Sequence, residues 1–279
     1  MRWIIGGTIL LALTLGAGCL SPGDGVGLSD SLSSDLLAAP AAPSSFTLDG
    51  ERCVAESFTF AGDIDRVGGY VLPPFELAVA TGTTPVLALF MQCDQTTLEG
   101  VDVKIATFGG LFAIVTSENA DADALNLYAL QAFTGDETVH GRLATLQAPI
   151  ELVTRASRGV HPEIPNVGGY LRIDVPFQDG GFDIEGYEIA SRETPTFQTW
   201  HVWAPTPAGF VRVAIDVSGV AAGGGNGQLE PATGSLVNEL RLRLWPDAGE
   251  DKVPPEEPID GQFVRLDFTQ RGRVDLMRA

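Results

Sequence analysis

Histidines are the first residues in this sequence that could do chemistry, because imidazole binds metals and transfers protons near neutral pH. The three in the chain lie far apart, and none has a second ligand at metal-binding spacing: His140, His161 and His201. A zinc site normally uses three or four nitrogen or sulfur ligands. We therefore expect scattered surface or capping histidines and no metal site.

Carboxylates form the second candidate group. They cluster at three places in the chain: Asp63 with Asp65, Asp121 with Asp123, and Asp179 with Asp183 and Glu185. Oxygen ligands in glycine-rich loops can bind calcium, but none of these clusters has the spacing of an EF-hand loop. In a chain with 36 acidic and 17 basic residues, we favour the alternative interpretation of solvated loop carboxylates.

A third candidate is the run Trp200-His201-Val202-Trp203. On a strand, Trp200 and Val202 share one face and His201 and Trp203 share the other. An exposed tryptophan beside a polar ring is typical of a stacking platform for a sugar or another flat ligand. Trp200 and Trp203 are therefore candidate ligand-binding residues. The alternative is ordinary core packing on one face of the strand and an interface on the other.

Basic residues narrow the chemistry further. The chain has fifteen arginines but only two lysines, Lys104 and Lys252, which removes most lysine-dependent chemistry. The formal charge of −19 argues against nucleic acid, since neutralising phosphates needs clustered lysine and arginine. A nucleophile elbow, a phosphate-binding glycine loop and an H-E-x-x-H motif are missing from the sequence. We expect no cofactor.

The first cysteine points to export. Arg2, an apolar stretch over Trp3 to Leu15 and small residues before Cys19 are typical of a signal peptide, and the ending Leu-Gly-Ala-Gly-Cys resembles the lipobox of bacterial and archaeal lipoproteins. The resemblance implies a signal peptide over residues 1–18 and a lipid anchor on Cys19. A flexible tether rich in Ser, Gly, Ala and Pro would follow over residues 19–45, before one globular domain over residues 46–279. A plain signal peptide and an uncleaved membrane anchor are the alternatives.

The other two cysteines, Cys53 and Cys93, lie at the ends of strand-like runs. Once Cys19 is assigned to the lipid anchor, two cysteines are left, and in an exported protein an even number of cysteines predicts a disulfide. Two buried thiols are the alternative. Together with Cys19, this predicts an exported domain anchored on the extracytoplasmic side of a membrane.

The elements that must position these residues are mostly strands. Period-two alternation predicts strands with one buried face at three places: Tyr170 to Val175, Leu240 to Trp245, and Val264 to Thr269. The continuously apolar runs Val86 to Met91 and Leu111 to Val115 predict central strands. Two short helices are predicted. One covers Asp63 to Val67, and the other follows the capping-box pattern Thr134-Gly135-Asp136-Glu137 and ends at Pro149. The predicted fold class is α+β, mostly antiparallel β, with a curved barrel-like sheet; an all-β sandwich is the alternative.

Several segments, in order, resemble the acetoacetate decarboxylase family. These are Asp63-Ile64-Asp65-Arg66-Val67 leading to Leu72-Pro73-Pro74-Phe75, Pro85 to Cys93 followed by Glu99, Asn126 to Phe133 with Gly141-Arg142 and Ala148-Pro149, and Gly261 to Phe268 with Gly272-Arg273-Val274. The third resembles the strand–helix unit that bears the family's G-R-E-x-W-G-x-P-K signature. The resemblance spans most of residues 50–279 and implies a curved sheet around an apolar cavity.

The chain departs from that family at its catalytic position. Decarboxylating members form a Schiff base with the lysine after the signature proline, and here that position is Ile150. Leu143 stands at the glutamate of G-R-E. Glu99 is a weak candidate for the family's active-site glutamate, and Lys104 is the other weak catalytic candidate. The resemblance therefore implies a scaffold without its usual nucleophile.

Three functions follow from these observations. The first is a non-enzymatic lipoprotein that binds a small apolar or carboxylated ligand in an internal cavity, with Arg142 a further ligand-binding candidate. The second is a decarboxylase-like enzyme that uses Glu99 as acid and base without the usual lysine. The third is a structural or adhesive surface module. The ligand and the oligomeric state are left open.

Overall fold

Long antiparallel strands form most of the computed structural model, which describes residues 45–79, 82–103, 106–118, 120–164, 168–178, 180–187, 199–241 and 257–278. The strands are β1 (Ser45–Asp63), β2 (Glu76–Leu77), β3 (Thr83–Leu98), β4 (Val101–Val103), β5 (Ala106–Thr116), β6 (Leu125–Thr134), β7 (Ile150–Leu152), β8 (Ser157–Ile164), β9 (Gly168–Val175), β10 (Phe182–Tyr187), β11 (Thr199–Thr206), β12 (Gly209–Pro231) and β13 (Ile259–Arg278).

Three short helices interrupt the strands of the described part: α1 (Ile64–Tyr70), α2 (Glu137–Thr145) and α3 (Leu236–Leu240). The helix predicted to begin near Asp63 is confirmed as α1, with Asp63 as its N-cap. The helix predicted before Pro149 is confirmed as α2. Its N-cap is Asp136 and not the threonine of the capping-box pattern, because the Asp136 side chain accepts hydrogen bonds from the first-turn amides.

The main sheet closes on itself. Its strand order runs β11-β6-β5-β3-β1-β13-β12, and β11 pairs with β12 as well as with β6, so these strands form a ring. The pairing of β11 with β6 is parallel, whereas its pairing with β12 is antiparallel. The predicted curved, mostly antiparallel sheet is confirmed, and the ring excludes the alternative of two flat packed sheets.

Strands of the ring are buried on both faces. Ala55 and Met91 belong to the core inside the ring, whereas Phe58 and Phe90 belong to a second core. The second core also contains Ile173 and Ile184, on β9 and β10, which continue the sheet beyond β12. Burial on both faces explains why β3 and β5 contain continuous apolar runs where a half-buried strand would alternate.

The strand predicted over Leu240 to Trp245 is wrong at its first residue. The alternation of Leu240, Leu242 and Leu244 predicts a strand, but Leu240 ends α3. Val237 and Leu240 are both fully buried, and their separation of three residues places them on one face of a helix. Helical burial therefore overrides the alternation, which begins only at Leu240. Leu242 and Leu244 lie outside the described residues.

The predicted bond between Cys53 and Cys93 is confirmed as a disulfide. The two cysteines are directly opposite each other on β1 and β3, and both are buried inside the ring. A register shift between Gly50 and Cys53 brings Cys53 to the inner face that Leu48 also occupies. A buried disulfide suggests an oxidising, extracytoplasmic environment.

In the described part of the chain, no helix has the length and apolar character needed to span a bilayer.

Candidate functional site

The strand ring surrounds an apolar cavity of about 80 Å³. Every strand of the ring contributes to its wall, and α2 and β7 complete it. No described residue that lines it is acidic or basic. The lining residues are Phe46, Leu48, Leu89, Met91, Phe108, Gly109, Phe112, Ala132, Phe133, Val139, Leu143, Ile150, Trp200, Val202, Val213, Ile215, Gln270, Gly272 and Val274.

The helix α2 places two apolar side chains in this wall. Val139 and Leu143 lie one turn apart and are both buried, as their spacing of four residues requires. The chain then turns through Pro149, and β7 begins at Ile150, which lies opposite Ala132 of β6. The signature-like segment is therefore a strand–helix–strand unit that points Leu143 and Ile150 into the cavity.

The N-cap of α2 gives a test of how this wall is held. The Asp136 carboxylate accepts hydrogen bonds from the amides of Thr138 and Val139, both at 2.9 Å. We expect Asp136→Ala to lower the free energy of unfolding by about 1 kcal/mol, because both amides lose their acceptor. Urea denaturation measures this change. In the exposed first turn, Glu137→Ala is the matched control, with an expected loss below about 0.5 kcal/mol; equal losses in the two variants would contradict the capping role.

The candidates Glu99 and Arg142 form an ion pair with each other. The Arg142 guanidinium donates to Glu99 Oε2 at 2.7 Å and lies over the ring of Phe46, 5.7 Å from its centre. Phe46 lines the cavity, but neither Glu99 nor Arg142 does. The ion pair therefore lies outside the apolar wall, and the Phe46 ring separates it from the cavity.

The tryptophan candidates are buried on opposite faces of β11. Trp200 is 5% exposed, lines the cavity and packs against Phe268 with a centre-to-centre distance of 5.6 Å. Trp203 is 3% exposed and packs in the second core against Phe75, and its indole N–H donates to Asn126 Oδ1 at 3.1 Å. Neither ring forms a stacking platform on the surface, and only Trp200 can touch a ligand in the cavity.

Two candidates, Cys19 and Lys104, lie outside the described residues. Lipidation of Cys19 and catalysis by Lys104 both stay predictions.

Solved structures of known proteins share this architecture. The chain superimposes on an acetoacetate decarboxylase with a TM-score of 0.56 at 13% identity, covering 89% of this chain and 96% of that one. The acetoacetate decarboxylase of Legionella pneumophila gives 0.54 at 14% identity, with 91% and 98% covered. The enduracididine biosynthesis enzyme MppR, with HEPES bound, gives 0.55 at 12% identity, with 83% and 88% covered. The chain has the acetoacetate decarboxylase fold.

At these identities the likeness shows the fold alone. No protein-family model matches the sequence, and the search of curated proteins finds no match either. Within the acetoacetate decarboxylase fold, the cavity wall has Leu143 and Ile150 at the positions where the motif resemblance places the family's glutamate and lysine. An aliphatic side chain cannot act as a nucleophile or transfer a proton, so these two positions contribute apolar contact only.

Most of the sequence-predicted carboxylates in the described residues bind neighbouring protein groups. Asp63 caps α1, Asp121 accepts from the Asp123 amide, and Asp183 and Glu185 both pair with Arg172. No group of three or more acidic, histidine or cysteine residues in the described part is arranged to hold a metal ion. Asp179 lies outside the described residues.

The described histidine side chains also lie away from the cavity. His140 is half-buried on α2, and His201 is buried beside Trp203 on the outer face of β11. Burial, reinforced by the positive charge of Arg212, lowers the pKa of His201. Neutral imidazole is therefore the favoured form, as its packing in the second core requires.

Sequence reasoning missed two polar residues in the interior. Gln270 lines the cavity, and the fully buried Glu56 faces the second core. Each lies among apolar residues at strand alternation: Gln270 two residues from Phe268, and Glu56 two residues from Phe58. A polar residue on an otherwise apolar strand face was the signal that would have marked both.

Proposed function

We propose that this protein is a membrane-tethered extracytoplasmic lipoprotein whose domain binds a small apolar ligand without catalysing a reaction. The observation that carries the proposal is the wall of the cavity inside the strand ring. Its described lining is aliphatic and aromatic except for Gln270, and it contains no acidic or basic side chain. Burial of apolar ligand surface against such a wall is favourable by roughly 25 cal/mol per Å².

The same wall argues against catalysis and against a charged ligand. Schiff-base chemistry needs an amine, and the position resembling the catalytic lysine is Ile150. A carboxylate moved into an apolar cavity loses its hydration without gaining a counter-charge. Arg142, which lies over the lining residue Phe46, is already paired with Glu99 outside the wall. These contacts favour the apolar ligand over the carboxylated one.

The structural neighbours support a role in holding small molecules. MppR, which shares the fold, has been solved with HEPES bound and with pyruvate. We carry over only the ability of the fold to bind a small molecule. The apolar wall then decides which chemistry this chain accepts.

A thermal-shift screen with a variant whose cavity is filled by a larger side chain tests the binding proposal. We expect a thermal-shift screen of small neutral apolar compounds to find ligands that raise the Tm of the wild type by about 3–5 °C at ten times their Kd. Ala132→Leu should abolish that shift, because Ala132 lines the cavity and the larger side chain occupies the space. Ala144→Leu makes the same exchange on the exposed face of α2 and should leave the shift intact. Equal shifts in both variants would place binding elsewhere.

Cys19 tests the membrane tether. We expect the wild type, produced in a bacterial host, to partition into the detergent phase and to have a mature N-terminal peptide with a mass increased by lipid. Cys19→Ser should move the protein to the aqueous phase, because the thioether bond to lipid needs sulfur. An unmodified N-terminal peptide that begins beyond Cys19 in the wild type would overturn the lipoprotein proposal and leave the cavity proposal standing.

A further inference from the structure

The pairing of β11 with β6 closes the strand ring, and we call this contact the seam. In the described residues the seam has four residue pairs, Trp200 to Trp203 with Leu125 to Tyr128. Every other contact between neighbouring strands of the ring has seven pairs or more, and parallel pairing is the less stable kind. Trp200 and Val202 of β11 line the cavity. Separation of β11 from β6 would therefore open the cavity at its weakest contact.

His201 lies within the seam, directly opposite Asn126 of β6. It is 6% exposed, its ring packs edge-on against Trp203 with the ring centres 6.0 Å apart, and its Nδ1 atom is buried without a hydrogen-bond partner. Trp203 in turn donates its indole N–H to Asn126 Oδ1, a hydrogen bond that crosses the seam. A protonated imidazole donates from both ring nitrogens. Protonation would therefore bury a charged N–H group without an acceptor.

The charged groups around His201 do not provide that acceptor. Arg212 of β12 adds a like charge, although its guanidinium also pairs with Asp275. Asp121, before β6, and Asp216, on β12, favour the protonated ring, but each carboxylate accepts a hydrogen bond from another protein group. Burial is the largest effect and the charge of Arg212 adds to it, so the pKa of His201 lies below its usual 6.5.

We propose that His201 makes the seam a pH-controlled gate of the cavity, because a protonated imidazole at this position separates β11 from β6. The inference concerns how the cavity opens, goes beyond the proposed binding function and needs no ligand. An open seam exposes the imidazole to water, where it binds a proton more tightly than it does in the closed seam. Opening therefore becomes more favourable as the pH falls below the usual pKa of 6.5, by at most about tenfold per pH unit for one proton.

Hydrogen exchange of backbone amides measures opening of the seam. Between pH 7 and pH 5 we expect the protection factors of the amides that pair β11 with β6 to fall by about threefold or more relative to those that pair β1 with β3. His201→Gln should remove this difference, because its side chain stays neutral. His140→Gln is the matched control, because His140 lies half-buried on α2 and away from the seam, and it should behave like the wild type.

Oxidation of methionine tests whether the seam opens the cavity. Met91 lines the cavity and is buried, whereas Met277 is exposed on β13. Dilute hydrogen peroxide converts accessible methionine to its sulfoxide, so the oxidation rate of Met91 relative to Met277 follows opening of the cavity. We expect this ratio, measured by mass spectrometry, to rise between pH 7 and pH 5 by the same factor as the amide exchange. It should stay constant in His201→Gln.

Seam amides that are equally protected at pH 5 and pH 7, or a pH dependence that persists in His201→Gln, would overturn the role of His201. Equal loss of protection at the seam and between β1 and β3 would indicate global unfolding and overturn the gate. A Met91 oxidation ratio that does not change with pH would also overturn it. If His201→Gln does not fold, His201→Phe supplies the same test with a neutral ring against Trp203. None of these results depends on whether a ligand binds.

Discussion

Replacing Arg158 by methionine should lower the free energy of unfolding by about 3–5 kcal/mol at neutral pH. Glu56, on β1, is fully buried in the second core, and its only described ion pair is with Arg158 of β8. The guanidinium Nε donates to both carboxylate oxygens at 2.8 Å. The substitution keeps an apolar stem but removes both the hydrogen bonds and the paired charge of a buried carboxylate, which then has the charge of Arg265 alone in its favour. Removing one partner is the costly way to break a buried pair.

The loss should depend on pH. Burial raises the pKa of Glu56 above its usual 4.5, and the hydrogen bond and charge of Arg158 oppose that rise. The folded state therefore binds this proton more tightly than the unfolded state. A group with a raised folded-state pKa contributes stability below its unfolded pKa, and that contribution is lost as pH rises through the folded value. Without Arg158 the pKa rises further, so the deficit of Arg158→Met should shrink toward pH 4.5.

Urea denaturation between pH 4.5 and pH 8 measures this effect. Arg52→Met is the matched control, because Arg52 pairs with Asp94 on the surface, where both side chains are more than half exposed. The free energy of unfolding of this control variant should fall by no more than about 1 kcal/mol. A similar small loss for Arg158→Met, or one independent of pH, would contradict the account of a buried carboxylate that relies on its arginine.

The second large effect concerns the disulfide. We expect Cys53→Ala with Cys93→Ala to lower the free energy of unfolding by about 4 kcal/mol, because the bond closes a loop between residues 40 positions apart and restricts the unfolded chain. Denaturation of the wild type with and without reductant should show a difference of the same size. The double variant should not respond to reductant.

The disulfide experiment has a clear failing result. A free-thiol count of two on the unfolded, unreduced domain would show that the bond is not formed. A double variant as stable as the oxidised wild type would show that the ring of strands holds these two strands together without it.

The sequence predicted the elements whose pattern is local. Alternation over Tyr170 to Val175, the apolar runs of β3 and β5, and the first-turn acids of α2 each reflect a choice made within a few residues. The strand predicted to begin at Leu240 is wrong at that residue for the opposite reason. Burial of Val237 and Leu240 against the rest of the chain selects a helix that the alternation does not show. A local pattern therefore predicts an element correctly where tertiary burial does not select a different secondary structure.

The candidate site was predictable in part. The motif resemblance indicated that Leu143 and Ile150 belong to a cavity, and the fold places both in one wall. It could not indicate that Glu99 and Arg142 pair outside that wall, because their contact depends on how α2 packs beside the turn after β3. The same holds for Gln270, whose apolar surroundings come from the six other strands of the ring.

The most direct test of the central claim is the NMR spectrum of the methionine methyl groups under xenon, an apolar atom that enters dry cavities in proteins. An open apolar cavity inside the strand ring predicts a saturable shift of the Met91 resonance, no shift of Met277, and loss of the Met91 shift in Ala132→Leu but not in Ala144→Leu. A Met91 resonance that does not respond to xenon, or that responds equally in Ala132→Leu, would contradict the account.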